Sequence, residues 1–216
     1  MFSMKKRLRQ GRVWQTAQSV WRAEAGELRR LEKTVCPAAF ARCVEVLAAC
    51  RGKVLTAGVG TSAAAARKIA HSLCCVERPA LFLSPGDGVH GGLGAVQKRD
   101  VVIAISKGGG TREIVNLLPA IQAKKAFLIG VTEKENSVLG RACDLLVKVK
   151  VEREPEPSNM LATASTLAVI AVFDAVCIAL MGVTGYTRAE FALIHSGGAV
   201  GDRLLDPNPE ESAPAR

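Results

Sequence analysis

The sequence predicts one α/β domain built on a parallel, doubly wound sheet, and three observations carry this prediction. The chain has 216 residues, which is enough for a single domain with a substantial core. Hydrophobic residues make up 49% of it but aromatic residues only 4%, so the core must consist mainly of Ala, Val, Leu and Ile. Short apolar runs alternate with helix-like stretches after residue 50, which is typical of βαβ units.

Two helices are predicted before the first strand. The first covers residues 13–33, and the second covers 38–50, with Pro37 between them and Gly52 as the stop signal. One apolar stripe runs along the first helix and consists of Trp14, Ala17, Trp21, Leu28 and Leu31.

Apolar or β-branched runs then predict the strands, at residues 53–57, 80–83, 101–105, 126–131 and 145–149. Helix-like stretches lie between most of them, at 62–75, 111–124 and 136–142. In parallel sheets ligands bind beyond the carboxyl ends of the strands, so a site is expected in the loops that follow these strands.

Residues 160–181 are apolar for long enough to resemble a membrane span. Thr163, Ser165, Thr166 and especially Asp174 interrupt this stretch, and small residues are frequent in it. We therefore predict a helix buried in a soluble α/β domain or at a subunit interface, with no membrane partner. The residues from Asp206 onward, rich in Pro and Glu, are predicted to be a disordered tail.

The formal net charge of +9 is concentrated near the amino end, where residues 1–33 hold nine Lys and Arg against three Glu. A basic arm can bind nucleic acid, but this one lacks the aromatic interleaving of a stacking platform. A helix with a solvated basic face is the favoured interpretation, so no nucleic-acid partner is expected. The positive charge elsewhere suits an anionic substrate.

The seven cysteines form no CxxC pair and have no histidine neighbours at zinc-ligand spacing, so no metal site is expected. An odd number of thiols, together with no secretory signal, predicts the reducing cytoplasm.

Two glycine-rich loops each lie between a predicted strand and a predicted helix. They read Gly58-Val59-Gly60-Thr61-Ser62 and Ser106-Lys107-Gly108-Gly109-Gly110-Thr111. Glycines let the backbone approach an anion, and the free amides and dipole at a helix start favour negative charge. The candidate anion-binding residues are Gly60, Thr61, Ser62, Ser106, Gly108, Gly109 and Thr111.

Two alternatives to anion binding remain for these loops. Either loop alone fits a plain βα turn whose hydroxyls cap the helix. The first loop also fits the GxGxxA form of a dinucleotide fingerprint, but the acidic residue after the second strand, Asp87, is poorly placed behind Pro85 and Gly86. Dinucleotide binding is therefore the weakest of the three interpretations.

Few residues are candidates for proton transfer. His90 and His195 lie in glycine-rich stretches that let other groups approach the ring, and Glu113 falls in the first turn after the second loop. Each acidic candidate also has a structural interpretation. A glutamate in a first turn, such as Glu113, can simply complement the helix dipole. Carboxylates in a Pro-containing loop, such as those of Glu152, Glu154 and Glu156, would usually be solvated.

Together these motifs resemble the sugar isomerase (SIS) domain, and within it the arabinose 5-phosphate isomerase group, over about residues 38–205. The most specific is FALIHSGGAVG at 191–201, where the similar enzymes carry an FALxHPGGxxG-like signature. The resemblance implies a flavodoxin-like three-layer αβα sandwich with a five-stranded parallel sheet. It divides the chain into a basic helical segment at 1–37, a sugar-phosphate-binding domain at 38–205 and a tail at 206–216. It also implies a cytoplasmic homo-oligomer, commonly a tetramer, with active sites between subunits.

The resemblance also implies roles for individual residues. Glu113, Glu154 and His195 fall where the isomerases keep acid/base residues, and His90 matches another site histidine. Ser106 and Thr111 match the phosphate-binding loop.

Three features depart from the family pattern. Thr61 stands where the isomerases usually place a lysine, and Lys107 or Arg112 are the candidates to replace its charge. The second loop reads three glycines, at 108–110, in place of a Ser-Gly-Glu-like run. The paired CBS regulatory domains that often follow are not expected, because the chain ends soon after Leu205.

The leading prediction is an isomerase that interconverts an aldose phosphate and a ketose phosphate through an enediol, with no metal or organic cofactor. The alternative is a non-catalytic sensor that binds a sugar phosphate in the same pocket. Thr61 in place of lysine favours the sensor, whereas the retained acid/base candidates favour the isomerase.

Overall fold

The computed structural model describes residues 2–197, with side chains from residue 10 onward. The elements, in chain order, are α1 (Phe2–Thr34), α2 (Pro37–Ala48), β1 (Val54–Ala57), α3 (Thr61–Cys74), β2 (Ala80–Phe82), α4 (Pro85–Gly88), a 3₁₀ helix (Gly92–Ala95), β3 (Val101–Ile105), α5 (Arg112–Val115), α6 (Leu118–Ala123), β4 (Phe127–Thr132), α7 (Val138–Ala142), β5 (Leu145–Lys148), α8 (Ala164–Thr184) and α9 (Arg188–Ile194).

The strands form one parallel sheet in the order β2-β1-β3-β4-β5, which confirms the predicted doubly wound α/β fold. The strand order reverses between β1 and β3, which pair directly with Ala57 opposite Ala104. The carboxyl ends of these two strands therefore lie side by side, and this is the position where such sheets bind ligands.

Side chains alternate between the two faces of the sheet, and each face is covered by its own helices. On one face Val54, Ile103 and Val131 pack with residues of α2, α3 and α8. On the other face Leu55 and Val102 pack with residues of α5, α6 and α7. These two apolar layers, with the sheet between them, give the predicted three-layer sandwich.

A buried carboxylate fixes the amino ends of β1 and β3. Asp100 is 3% exposed, and its side chain accepts hydrogen bonds from the Lys53 amide at 2.9 Å and the Gln97 amide at 2.8 Å. The Lys53 ammonium lies 2.7 Å from the second carboxylate oxygen, so the buried charge is compensated. These contacts hold the two central strands in register.

The predicted elements are found at their expected positions, with two differences. The helix expected at 111–124 is two helices, α5 and α6, because Pro119 has no amide to donate to the carbonyl of Val115. The first helix is longer than predicted, since α1 begins at Phe2.

The apolar segment after residue 160 forms α8, which packs against α1, α2 and α3. Within the described residues α8 has the length and hydropathy of a membrane span, with a mean hydropathy of 2.4. One side of it carries core residues such as Phe173 and Val176, whereas Leu167 and Ile178 on the other side are exposed. The prediction of burial within the domain is therefore confirmed for one face, and burial of the other face at a subunit interface stays a prediction. The predicted tail at 206–216 lies outside the described residues.

Candidate active site

The two glycine-rich loops lie next to each other at the carboxyl edge of the sheet. The first follows β1 and the second follows β3, and these strands are hydrogen-bonded neighbours. The loops that the sequence singled out are thus brought together by the topology, at the point where the strand order reverses.

In the first loop, Gly60 caps the start of α3 with φ 59° and ψ −128°, a backbone conformation that residues with a Cβ rarely adopt. Thr61 begins the helix and is exposed, and Ser62 behind it is half-buried. The Thr61 and Ser62 amides come before the first backbone hydrogen bond of the helix, from Ala63 to Gly60, so they are available to an anion.

The second loop is held rigidly by hydrogen bonds. The Ser106 and Thr111 hydroxyls are 2.8 Å apart, and the Gly109 amide donates to the Ser106 hydroxyl at 3.1 Å. Gly109 has φ 66°, and a Cβ at this position would lie 1.9 Å from the Ser137 hydroxyl. Only glycine fits at position 109. Gly108 is exposed, and a Cβ added there would contact no other atom.

A small cavity lies beside the loops, with a volume of about 50 Å³. It is lined by Thr61, Ser62, Ala65, Ile105, Lys107, Val131, Thr132, Glu133, Val149, Ala162, Ser165, Thr166 and Val169. Pockets for small ligands usually measure about 300–1,000 Å³, so this cavity is one end of a site rather than a whole one.

A larger open groove of about 750 Å³ lies at the opposite edge of the sheet, near Arg42, Lys98 and Arg99. It is far from the glycine-rich loops, at the amino ends of the strands, and we do not assign the site there.

Glu154 is fully buried beside the small cavity, which argues against the alternative of a solvated carboxylate in a Pro-containing loop. Its carboxylate accepts hydrogen bonds from the Ser165 hydroxyl, the Thr163 amide at 3.0 Å and the Ser165 amide at 3.3 Å. The Lys107 ammonium completes the set at 2.7 Å. A buried carboxylate with this many donors is held in one position.

These contacts determine the charge of Glu154. Burial by itself would raise its pKa, but the hydrogen bonds from Lys107, Ser165 and the Thr163 amide outweigh it and lower the pKa to about 2. Glu154 is therefore ionised at neutral pH, and the cation that balances it, Lys107, belongs to the second glycine-rich loop.

Glu133 is a residue of this site that the sequence analysis missed. It directly follows β4 and lines the cavity, with its Oε1 3.9 Å from the Lys107 ammonium. Burial raises the pKa of Glu133, and Lys107, the Val151 amide and Lys150 only partly oppose this. Its position after a strand at the carboxyl edge of the sheet was the signal that could have identified it.

The remaining predicted acid/base residues are not gathered around this cavity. Glu113 is exposed at the second residue of α5, and His90 is exposed just before the 3₁₀ helix. His195 follows α9, where its ring stacks on Phe191 with 3.8 Å between centroids and its Nδ1 lies 3.0 Å from the Phe191 carbonyl oxygen. These three assignments stay predictions, and the 198–201 part of the C-terminal motif lies outside the described residues.

The sequence profile of the SIS domain matches residues 47–179, which is more than half of the chain. The chain belongs to the SIS-domain family. The matched region of this SIS domain contains both glycine-rich loops, Lys107, Glu133 and Glu154.

Known proteins similar to this SIS domain include a Salmonella typhi arabinose 5-phosphate isomerase, GutQ, which is 36% identical over 167 residues. That alignment covers 77% of this chain and 52% of GutQ, so the chain spans about half the length of the curated relatives it matches.

Two solved structures share the fold over nearly their whole length. A Listeria monocytogenes protein, assigned provisionally as a sugar-phosphate isomerase, is 49% identical with a TM-score of 0.85, covering 86% of this chain and 97% of that one. An Escherichia coli CFT073 protein solved in complex with arabinose 5-phosphate is 34% identical with a TM-score of 0.82, covering 86% and 98%.

Proposed function

We propose that this SIS domain interconverts an aldose phosphate and a ketose phosphate through an enediol, in the manner of an arabinose 5-phosphate isomerase. The observation that carries the proposal is the fully buried, ionised Glu154, paired with Lys107 at a cavity between two hydroxyl-bearing glycine-rich loops. The names of the relatives, arabinose 5-phosphate isomerases and a protein in complex with arabinose 5-phosphate, support the same substrate class.

The two glycine-rich loops bind the phosphate and the sugar oxygens in this proposal. Backbone amides come from Gly60 and Gly108, and hydroxyls come from Thr61, Ser62, Ser106 and Thr111. The amide of Gly109 is buried and donates to Ser106, so Gly109 shapes the loop. The start of α3 adds its dipole. Lys107 supplies positive charge at the cavity, where the sequence has Thr61 in place of a lysine.

Isomerisation needs a base that moves a proton between C2 and C1, and groups that move protons between O2 and O1. Both Glu113 and Glu154 were candidates for the carbon-bound proton. Both oxygens of Glu154 already accept hydrogen bonds from Lys107, Thr163 and Ser165, so we assign the carbon-bound proton to Glu113. His195 and His90 are assigned to the hydroxyl protons and to opening of the ring.

The site is completed by another copy of the chain in this proposal, and the assembly is a homotetramer in the cytoplasm. The small cavity leaves most of a phosphorylated sugar outside it. Large apolar side chains are also exposed on α8 and α9, with Ile178 70% and Leu193 75% exposed. His195, directly after α9, would then act in the site of a neighbouring copy. The ring of Trp14, on α1, is exposed as well.

Replacing Ile178 by glutamate is expected to break the assembly, because a carboxylate would be buried in an apolar contact. The mass measured by light scattering after size-exclusion chromatography should fall, and isomerase activity should fall with it. Val138→Glu is the matched control, since Val138 is also exposed but lies at the start of α7 in the opposite layer. An unchanged mass for the Ile178 variant would contradict the use of this face.

The proposed function is tested by incubating the protein with a panel of C5 and C6 sugar phosphates in heavy water and following deuterium at C1 and C2 by NMR. We expect uptake and conversion with one of them. If no sugar phosphate takes up deuterium, yet one protects the protein from thermal unfolding in a saturable way, the isomerase proposal is wrong and the sensor is correct.

A further inference from the structure

A carboxylate oxygen in the cavity has no hydrogen-bond partner. Oε1 of Glu133 is buried and receives no hydrogen bond, and the nearest ammonium, that of Lys107, is 3.9 Å away. An unsatisfied buried acceptor is costly because it has lost its hydrogen bonds to water, so native proteins keep few of them without a reason. A hydroxyl group of a bound ligand would satisfy this atom.

The backbone of Glu133 is fixed to the second glycine-rich loop. Its amide donates to the Lys107 carbonyl at 3.0 Å, and the Thr132 hydroxyl donates to the same carbonyl oxygen at 3.0 Å. The Val151 amide also donates to the Glu133 carboxylate. The carboxyl group is therefore positioned by the strand edge and the loop, and it does not depend on a flexible surface segment.

We propose that Glu133 is a further catalytic residue of this SIS domain, whose carboxyl group binds a hydroxyl of the phosphorylated sugar and carries the proton that moves between O2 and O1. This role rests on the proposed isomerase function. In the aldose-to-ketose direction the O2–H bond breaks as a carboxyl O–H bond forms, and the same proton is then delivered to O1. The carboxylate is regenerated, and no further reactant is needed.

The charges around Glu133 support this role. Lys107 lies between two carboxylates and makes its close contact, at 2.7 Å, with Glu154. The pKa of Glu154 is lowered. The pKa of Glu133 is raised, mainly by burial; the charge of Glu154 raises it further, and Lys107 and Lys150 only partly oppose this. Two carboxyl groups with pKa values set apart by their surroundings commonly divide acid/base work between them. The group whose pKa lies closer to neutrality exchanges protons more effectively.

Glu133→Gln tests the proposal, because glutamine keeps the size and hydrogen bonding of the side chain but does not accept the proton. We expect conversion of the aldose phosphate to fall by a factor of about 10². Deuterium uptake at C2 of the recovered aldose should fall much less, since the carbon base still forms the enediol and returns it. The ratio of C2 exchange to conversion therefore rises, which a purely structural role would not cause.

Two further variants complete the test. Glu135→Gln is the matched control, because Glu135 lies two residues further on, exposed and paired with Lys148, and it should leave both rates unchanged. Glu133→Asp retains a carboxyl group and should recover part of the conversion.

The outcomes separate this role from the function on which it rests. Conversion and exchange that fall in proportion, or that both stay at the wild-type level, would overturn the role of Glu133 while leaving the isomerase intact. A wild-type protein that converts none of the sugar phosphates would overturn the proposed function and this role together.

Discussion

Replacing Glu113 by glutamine is expected to lower the isomerisation rate by a factor of about 10²–10⁴, which is the usual contribution of a general base. Glu113 carries an ionisable carboxylate one residue into α5, directly after the second glycine-rich loop. Glutamine has nearly the same shape but cannot take the carbon-bound proton. Both deuterium uptake at C2 and conversion should fall together, in contrast to the Glu133 variant, and NMR in heavy water measures both.

Loss of structure would not explain such a result. A first-turn glutamate stabilises a helix by about 0.3–1 kcal/mol, so the melting temperature of the Glu113 variant should change by only a few degrees. Glu45→Gln is the control, since Glu45 is exposed on α2 at the opposite edge of the sheet and pairs with Arg42. Wild-type turnover in the Glu113 variant would remove this residue from the mechanism and leave the assignment of the carbon base open to Glu154.

The fold was predictable from the sequence because its rules are local. Each strand of the sheet lies in a short apolar run, and each run was located to within a few residues; β1 and β3 are also followed directly by turn residues, Gly58 and Ser106. The parallel order follows from the helices between the strands. Even the break at Pro119 had a local cause in the sequence, the missing amide of proline.

The arrangement of the site was predictable only in part, because it depends on contacts between distant segments. The two loops meet because β1 and β3 are neighbours, which the expected topology implied. In contrast, the burial of Glu154 depends on Lys107, 47 residues earlier, and on Ser165 in α8. Local sequence around Pro155 and Glu156 indicates only a polar loop.

The first helix shows the same distinction. Its apolar stripe was recognised from the spacing, and Leu28 and Leu31 do pack against the core. Trp14 and Trp21 belong to the same stripe, yet they are 56% and 54% exposed and contact each other edge to face. A periodic pattern shows which residues share a face, but it does not show whether the same chain or another copy covers that face.

Replacing Lys107 by methionine is expected to destabilise the protein by about 2 kcal/mol, because the charge of Glu154 would remain buried without its cation. For a chain of this size the melting temperature should fall by about 4–8 °C. Lys148→Met is a matched control, because the Lys107 and Lys148 side chains are equally exposed, at 42% and 41%. Their partners differ: the Glu154 side chain is 0% exposed, whereas that of Glu135, the partner of Lys148, is 59% exposed. An exposed pair contributes at most about 1 kcal/mol, so the control should melt close to the wild type.

The same pair predicts how stability depends on pH. Because the pKa of Glu154 is lowered from 4.5 to about 2 in the folded protein, folding favours the ionised form, and this stabilisation is present above pH 4.5 and lost as the pH falls toward 2. Without Lys107 the pKa of Glu154 rises, so acid unfolding of the Lys107→Met variant should begin at a higher pH. Adding Glu154→Gln removes the buried charge, and the double variant should regain part of the lost stability and show a flatter acid limb. Urea unfolding across this pH range measures the stability of each variant. If the double variant is less stable than Lys107→Met alone, the unpaired charge of Glu154 is not what destabilises the Lys107 variant.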